Sequence, residues 1–141
     1  MKKNLENLNY TSTNQTLKKS VLIIDDSPDM LELWKVTLEL DGFIAFTAAS
    51  GSEALGVLTN TKVDLILLDF AMEGMSGVQF LKHLEEKQPE LLDEVPVVFL
   101  TGMEADEVPQ SKAAGLICKS VGTAKFLESV HFYIQNKIVH H

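Results

Sequence analysis

The stretch Val63-Asp64-Leu65-Ile66-Leu67-Leu68-Asp69 decides the fold. Apolar residues stand at both odd and even positions of this stretch, which is typical of a strand covered on both faces in a parallel sheet. Asp69 then lies at the carboxyl end of that strand, and a loop with two glycines, Gly74 and Gly77, follows. Open α/β sheets bind ligands outside the carboxyl ends of their strands. Asp69 is therefore a candidate functional residue, although aspartate is also a common turn residue that could simply cap this turn.

A second apolar run, Val21-Leu22-Ile23-Ile24, ends in the acid pair Asp25 and Asp26. If the two predicted strands are parallel neighbours, three carboxylates meet at one edge of the sheet. Like charges at such short separations repel each other, and a hard divalent cation with oxygen ligands is the usual compensation. The pattern therefore predicts that Asp25 and Asp26 hold a magnesium ion beside Asp69.

The composition limits the class of protein and its partners. With 141 residues, of which 45% are hydrophobic, the chain suits one soluble domain with a single core. The formal net charge of −8 argues against a nucleic acid as a direct partner. The one cysteine, Cys118, excludes an internal disulfide, and we interpret it as a core residue in a reducing compartment. Since neither a membrane-spanning run nor a secretory signal is visible, we expect a cytoplasmic protein without a membrane partner.

Predicted strands alternate with predicted helices five times, which indicates an α/β fold with helices on both faces of a parallel sheet. We expect a connector rather than a helix at the acidic stretch Glu90 to Glu94, and Pro109 limits the helix predicted around it. The predicted strands are about 20–25, 43–48, 63–69, 95–100 and 115–119, and the predicted helices are about 28–41, 51–58, 78–86, 103–114 and 123–135.

The residues at the predicted strand ends form a chemically coherent set. Asp69 could attack a phosphoryl group and become an acyl phosphate. Magnesium and Lys119 would neutralise charge on the transferring oxygens, and Thr101 could donate its hydroxyl to one of them. Alone, Lys119 has the pattern of a surface lysine and Thr101 that of an ordinary strand-end residue, but their convergence at one edge favours the chemistry. The set is Asp25, Asp26, Asp69, Thr101 and Lys119.

In their order and separation, these motifs resemble the receiver domain of two-component response regulators. The resemblance covers residues 20–137 and implies a flavodoxin-like, doubly wound (βα)5 fold with strand order 2-1-3-4-5. Residues 1–19 are then a flexible N-terminal tail and residues 138–141 a C-terminal tail. The matching pieces are 21–26, 67–72 with 74–77, 99–102, and 113–115 leading to Lys119.

The resemblance also implies the chemistry and the partners. Asp69 would accept a phosphoryl group from a histidine kinase or a phosphotransfer protein. The chain is then not an enzyme beyond its own phosphorylation and dephosphorylation. Because too few residues follow the last helix for an output module, we expect a stand-alone receiver that binds a downstream protein. The implied Mg²⁺ ligands are Asp25 or Asp26, Asp69 and the backbone carbonyl of Ala71, and the implied phosphoryl contacts are Thr101 and Lys119.

The sequence departs from the family pattern at four places. Glu73 stands where the family usually has proline, and Ser120 replaces the proline of a cis peptide after Lys119, which predicts a trans bond. Leu116 occupies the switch position where the family usually has tyrosine or phenylalanine. The segment between Thr101 and Lys119 is also a few residues short. We therefore predict a short or irregular fourth helix and an output through another surface or a small switch.

Two alternatives remain open from the sequence. The chain could be a receiver-like interaction or dimerisation module that no longer switches, and a homodimer is compatible with this alternative. The departures favour it, whereas the complete set of site residues opposes it. A magnesium-dependent phosphohydrolase is disfavoured, because such enzymes commonly need a second acid two residues after the nucleophile, where this chain has Ala71.

Overall fold

The computed structural model of the protein describes residues 18–102 and 113–136. Its centre is a five-stranded sheet in the order β2-β1-β3-β4-β5, and every neighbouring pair of strands is parallel. This order confirms the predicted flavodoxin-like, doubly wound α/β fold. The strands are β1 (Ser20–Ile24), β2 (Ile44–Ala48), β3 (Leu65–Asp69), β4 (Val97–Thr101) and β5 (Gly115–Cys118).

Helices cover both faces of the sheet. The described helices are α1 (Pro28–Leu40), α2 (Gly51–Asn60), α3 (Gly77–Lys87), α4 (Pro89–Glu94) and α5 (Thr123–Gln135), with a 3₁₀ turn at Lys119–Val121. Two apolar clusters follow from this arrangement. One cluster packs β-strand side chains against α1 and α5, where Trp34 stacks on Phe126 with ring centroids 4.3 Å apart. The other packs the opposite face of the sheet against α2, α3 and α4.

The central strand β3 shows why the apolar run decides the fold. All five of its residues are buried. Ile66 and Leu68 pack into the cluster under α2, α3 and α4, whereas Leu65 and Leu67 pack into the cluster under α1 and α5. A strand with apolar side chains on both faces needs cover on both sides. The predicted burial of both faces of β3 is therefore confirmed.

The ends of α1 follow from local chemistry. The Ser27 hydroxyl accepts a hydrogen bond from the Met30 N–H at 3.3 Å, and Pro28 occupies the first helical turn. The helix ends before Gly42, whose φ of 92° is a left-handed conformation that favours glycine. Apolar character does not imply burial everywhere on this helix, since Val36 and Leu40 are 42% and 84% exposed.

The prediction of a connector at Glu90 to Glu94 was also wrong. Pro89 ends the preceding helical pattern but starts α4, because its missing N–H is tolerated in a first turn. The Val95 N–H donates to the Leu91 carbonyl at 2.8 Å, and Leu91 packs against the core. Cys118 is partly exposed, which corrects its interpretation as a core residue. The strand bounds differ from those predicted by one or two residues.

Part of the prediction lies outside the described residues. The helix predicted for 103–114, with its expected short or irregular form, falls almost wholly on residues that the structure does not describe. The same holds for nearly all of the N-terminal tail and for the C-terminal tail. Along 18–102 and 113–136, no helix combines the length and the apolar character needed to cross a membrane.

Candidate functional site

The pairing of β1 with β3 brings the acidic residues together. Ile24 is the register partner of Leu68, so the next residue on each strand, Asp25 and Asp69, follows at the same edge of the sheet. Asp25 is fully buried and Asp69 is 4% exposed, whereas Asp26 is exposed. One carboxylate oxygen from each of the three lies within 4.8 Å of the others. The structure therefore assembles the predicted cluster, which we call the acid cluster.

Backbone N–H groups orient all three carboxylates of the acid cluster. The Ser27 N–H donates to Asp25 Oδ1 at 3.0 Å, and the Ala71 N–H donates to Asp69 Oδ1 at 3.3 Å. These two bonds are local and span two residues, which is the spacing of an Asx turn. The Asp26 carboxylate instead accepts a bond from the distant Glu73 N–H, at 2.9 Å from Oδ2.

Lys119, which directly follows the edge strand β5, reaches the acid cluster along the carboxyl edge of the sheet. Its Nζ lies 3.1 Å from Asp25 Oδ2 and 3.1 Å from Asp69 Oδ1. No peptide bond between described residues is cis, so the bond from Lys119 to Ser120 is trans, as the serine predicts. This trans bond still leaves the ammonium group directed at Asp69.

The acid cluster is electrostatically unbalanced. Burial raises the pKa of Asp69, and the negative charge of Asp25 raises it further. The hydrogen bond with Lys119 offsets only part of this rise, so the pKa of Asp69 stays above its usual value. Burial lowers the pKa of Lys119, but its hydrogen bond to Asp69 and the charges of Asp25 and Asp69 together outweigh burial, so that pKa is raised too. Three carboxylates thus face one ammonium group, and a site of this kind favours further positive charge.

The other two predicted site residues, Thr101 and Leu116, lie on the neighbouring strands β4 and β5. Thr101 ends β4 as the register partner of Cys118, and it is 2% exposed. It stands one position beyond Leu100, the partner of Asp69. Leu116 lies inside β5, where it packs against the core beneath α2, α3 and α4. Its carbonyl oxygen accepts a hydrogen bond from the Tyr133 hydroxyl at 3.4 Å.

The loop after Asp69 is folded back against the strand. The Gly77 N–H donates to the Phe70 carbonyl at 3.0 Å. A Cβ at Gly77 would lie 3.1 Å from Phe70 Cα and closer still to the Asp69 carbonyl oxygen, so only glycine fits. Gly74 has φ of 80°, a left-handed conformation that favours glycine and bends the loop. The backbone under Asp69 is thereby fixed by close packing.

Sequence reasoning missed the backbone donors of the site. Residues two positions after an aspartate are the usual donors of Asx turns, so the spacing of Ser27 from Asp25 and of Ala71 from Asp69 was an available signal. No local pattern links Glu73 to Asp26, because the two are 47 positions apart. That bond depends on how the two loops meet.

Comparison with known proteins identifies the family. Residues 21–131 match the sequence model of the response regulator receiver domain. The chain therefore belongs to the family of response regulator receiver domains, which are signalling domains of two-component systems. Receiver domains are phosphorylated by histidine kinases and act on downstream partners.

Relatives of different lengths share this domain. The transcriptional regulatory protein GlrR of Escherichia coli K12 is 36% identical over 94 residues, which are 67% of this chain and 20% of GlrR. The polar-differentiation response regulator DivK of Brucella ovis is 30% identical over 122 residues, which are 84% of this chain and 98% of DivK. This chain thus spans about a fifth of GlrR and almost all of DivK.

A solved structure agrees with the fold. The response regulator TrrA from Thermotoga maritima, in complex with Mg²⁺ and BeF, is 28% identical and superimposes with a TM-score of 0.69. The match covers 81% of this chain and 97% of that chain.

Proposed function

We propose that Asp69 accepts a phosphoryl group from the phosphohistidine of a histidine kinase or a phosphotransfer protein. In this step an Asp69 carboxylate oxygen forms a bond to phosphorus while the N–P bond breaks, and the electron pair of that bond stays on the histidine nitrogen. Water later hydrolyses the acyl phosphate and restores the carboxylate and inorganic phosphate. The observation that carries the proposal is the nearly buried Asp69 at a strand end, with the Lys119 Nζ at 3.1 Å.

We further propose that the acid cluster, with the carbonyl of Ala71, binds Mg²⁺. The donor set fits this ion, because three carboxylate oxygens converge within 4.8 Å and hard oxygen ligands suit magnesium. Among the described residues, the buried Asp25 Oδ2 has no polar partner other than the Lys119 ammonium group. When bound, the ion would supply charge neutralisation for the phosphoryl oxygens.

Lys119 and Thr101 are proposed to hold the phosphoryl group once it is on Asp69. Phosphorylation removes the charged carboxylate that Lys119 faces and replaces it with phosphoryl oxygens at the same place. The ammonium group then exchanges one anion for another without leaving the site. The Thr101 hydroxyl, at the end of the neighbouring strand β4, contacts a further phosphoryl oxygen.

The output is proposed to be altered binding to a downstream protein. Leu116 is the proposed switch position; its partly buried side chain packs against the core, and its backbone carbonyl accepts the hydrogen bond from the Tyr133 hydroxyl. The second candidate function is an interaction or dimerisation module that does not switch. Leucine at position 116, in place of the family's usual tyrosine or phenylalanine, favours it, because leucine has no ring and no hydroxyl to exchange partners.

The test of these functions is an amide NMR titration of the full chain with beryllofluoride and Mg²⁺. Shifts that start at the acid cluster and extend to Leu116 and the start of α5 support the switching receiver. Shifts confined to the acid cluster support the module that does not switch. If the wild type, like the control variant Asp69→Asn, shows no shift on addition of beryllofluoride and Mg²⁺, phosphoryl acceptance is refuted.

A further inference from the structure

We propose that Glu73 is a positioning residue of the metal site, and that its backbone N–H holds the Asp26 carboxylate in place for the cation. This inference rests on the proposed function, because it concerns how the acid cluster is prepared for Mg²⁺. The bond from the Glu73 N–H to Asp26 Oδ2 measures 2.9 Å. A carboxylate that accepts through one oxygen keeps the other available for a ligand.

Asp26 needs this support more than the other two carboxylates do. Asp25 and Asp69 are buried, and each also accepts a backbone N–H from its own loop. Asp26 is exposed, so packing restricts its rotamers less. Among the residues that the structure describes, Glu73 supplies the hydrogen bond to its carboxylate. The third ligand of the acid cluster is therefore oriented across two loops that are far apart in the sequence.

The loop after β3 in turn positions the Glu73 amide. Its start is held by the bond from the Ala71 N–H to Asp69, and its end is closed by the bond from the Gly77 N–H to the Phe70 carbonyl. Gly74, directly after Glu73, provides the left-handed bend. The direction of the Glu73 amide follows from this closed loop and not from the Glu73 side chain.

Residue 73 acts on Asp26 through its backbone N–H and not through its side chain. The resemblance to receivers makes proline the usual residue at this position, and proline has no N–H to donate. In this chain the departure from the family pattern adds a bond between the β1–α1 loop and the β3–α3 loop. Any residue other than proline would supply this backbone N–H. The effect of the Glu73 side-chain charge can therefore be separated from the effect of its backbone N–H.

The test is the dissociation constant of Mg²⁺, measured by calorimetry on the full chain and on variants that separate amide from charge. Glu73→Gln keeps the N–H and removes the charge, whereas Glu73→Pro removes both. Partners that orient metal ligands are typically worth 10–100-fold in metal affinity, and for an exposed ligand we expect about tenfold weaker binding in Glu73→Pro. Glu73→Gln should stay within about threefold of the wild type, because surface charges act weakly.

Two further measurements test the same hydrogen bond without the proline substitution. If Glu73→Pro does not fold, an amide-to-ester replacement at position 73 removes the N–H without the proline ring, and it should weaken binding to a similar extent. In the metal-free protein, the Glu73 amide proton should resonate downfield and move upfield in Asp26→Ala. Equal affinities of Glu73→Pro and Glu73→Gln would overturn this inference while leaving the proposed function intact. A wild type that takes up no Mg²⁺ would overturn both.

Discussion

Replacing Lys119 by methionine should destabilise the metal-free protein and strengthen its affinity for Mg²⁺. The Lys119 Nζ lies 3.1 Å from both Asp25 Oδ2 and Asp69 Oδ1. The ammonium group and a bound cation therefore share the same two carboxylates. Methionine keeps much of the side-chain volume and removes the charge, so the change isolates the electrostatic contribution.

The size of the effect follows from the two ion pairs. At an effective dielectric constant of about 20, each pair at this distance is worth roughly 5 kcal/mol of Coulomb energy before desolvation is subtracted. Breaking a buried pair costs about 3–5 kcal/mol, and the 25% exposure of the Lys119 side chain reduces this. We expect a loss of about 2–3 kcal/mol in the free energy of unfolding. For a domain of this size the melting temperature would fall by about 4–12 °C.

The assay is thermal and urea unfolding with EDTA, repeated over a Mg²⁺ titration. Lys125→Met, at an exposed position on α5, is the matched control and should behave like the wild type. Without Lys119 the cation no longer competes with an ammonium group, so the gain in melting temperature per step of Mg²⁺ should be larger than in the wild type. Equal unfolding curves for Lys119→Met and Lys125→Met would refute the reasoning.

Three other changes test the site and its support. Gly77→Ala should lower the free energy of unfolding by about 1–3 kcal/mol in urea, because the new Cβ meets the Asp69 backbone; an unchanged midpoint would contradict this close packing. Mg²⁺ at about ten times its dissociation constant should stabilise the wild type by about 1.4 kcal/mol in thermal melts, and EDTA should remove the gain. Finally, the raised pKa of Asp69 means that the folded state holds this proton more tightly than the unfolded state. The stabilisation that this tighter proton binding gives the folded state is fully present below the usual pKa of 3.8. It is lost as the pH rises through the raised pKa. In EDTA the stability of Asp69→Asn relative to the wild type should therefore grow with pH over this window; a constant difference would contradict the shift.

The features that the sequence predicted well depend on short patterns. Apolar residues at both odd and even positions of β3 required a sheet covered on both faces, and helices cover both faces of this sheet. Carboxylates directly after two such runs had to meet if the strands were neighbours, and the pairing of β1 with β3 makes them neighbours. Lys119 was predicted at the same edge, and its contacts with Asp25 and Asp69 follow from the strand order.

The features that the sequence did not predict depend on the tertiary arrangement. The exposure of Leu40 could not be read from its apolar character, because helix periodicity alone does not say how far the cover of neighbouring helices extends. The helix α4 was hidden by its acidic composition, although Leu91 gives it a contact with the core. The bond between Glu73 and Asp26 arises only where two loops meet. The form of the segment 103–112 stays a prediction.

The measurement that tests the central claim most directly is chemical phosphorylation followed by localisation of the phosphoryl group. The full chain is incubated with acetyl phosphate and Mg²⁺, its intact mass is recorded, and borohydride then reduces the acyl phosphate so that the modified residue can be found by peptide mapping. We predict the mass of one added phosphoryl group, located at Asp69, which is absent with EDTA and in Asp69→Asn. An unmodified chain in the presence of Mg²⁺, or modification that persists in Asp69→Asn, would contradict the account.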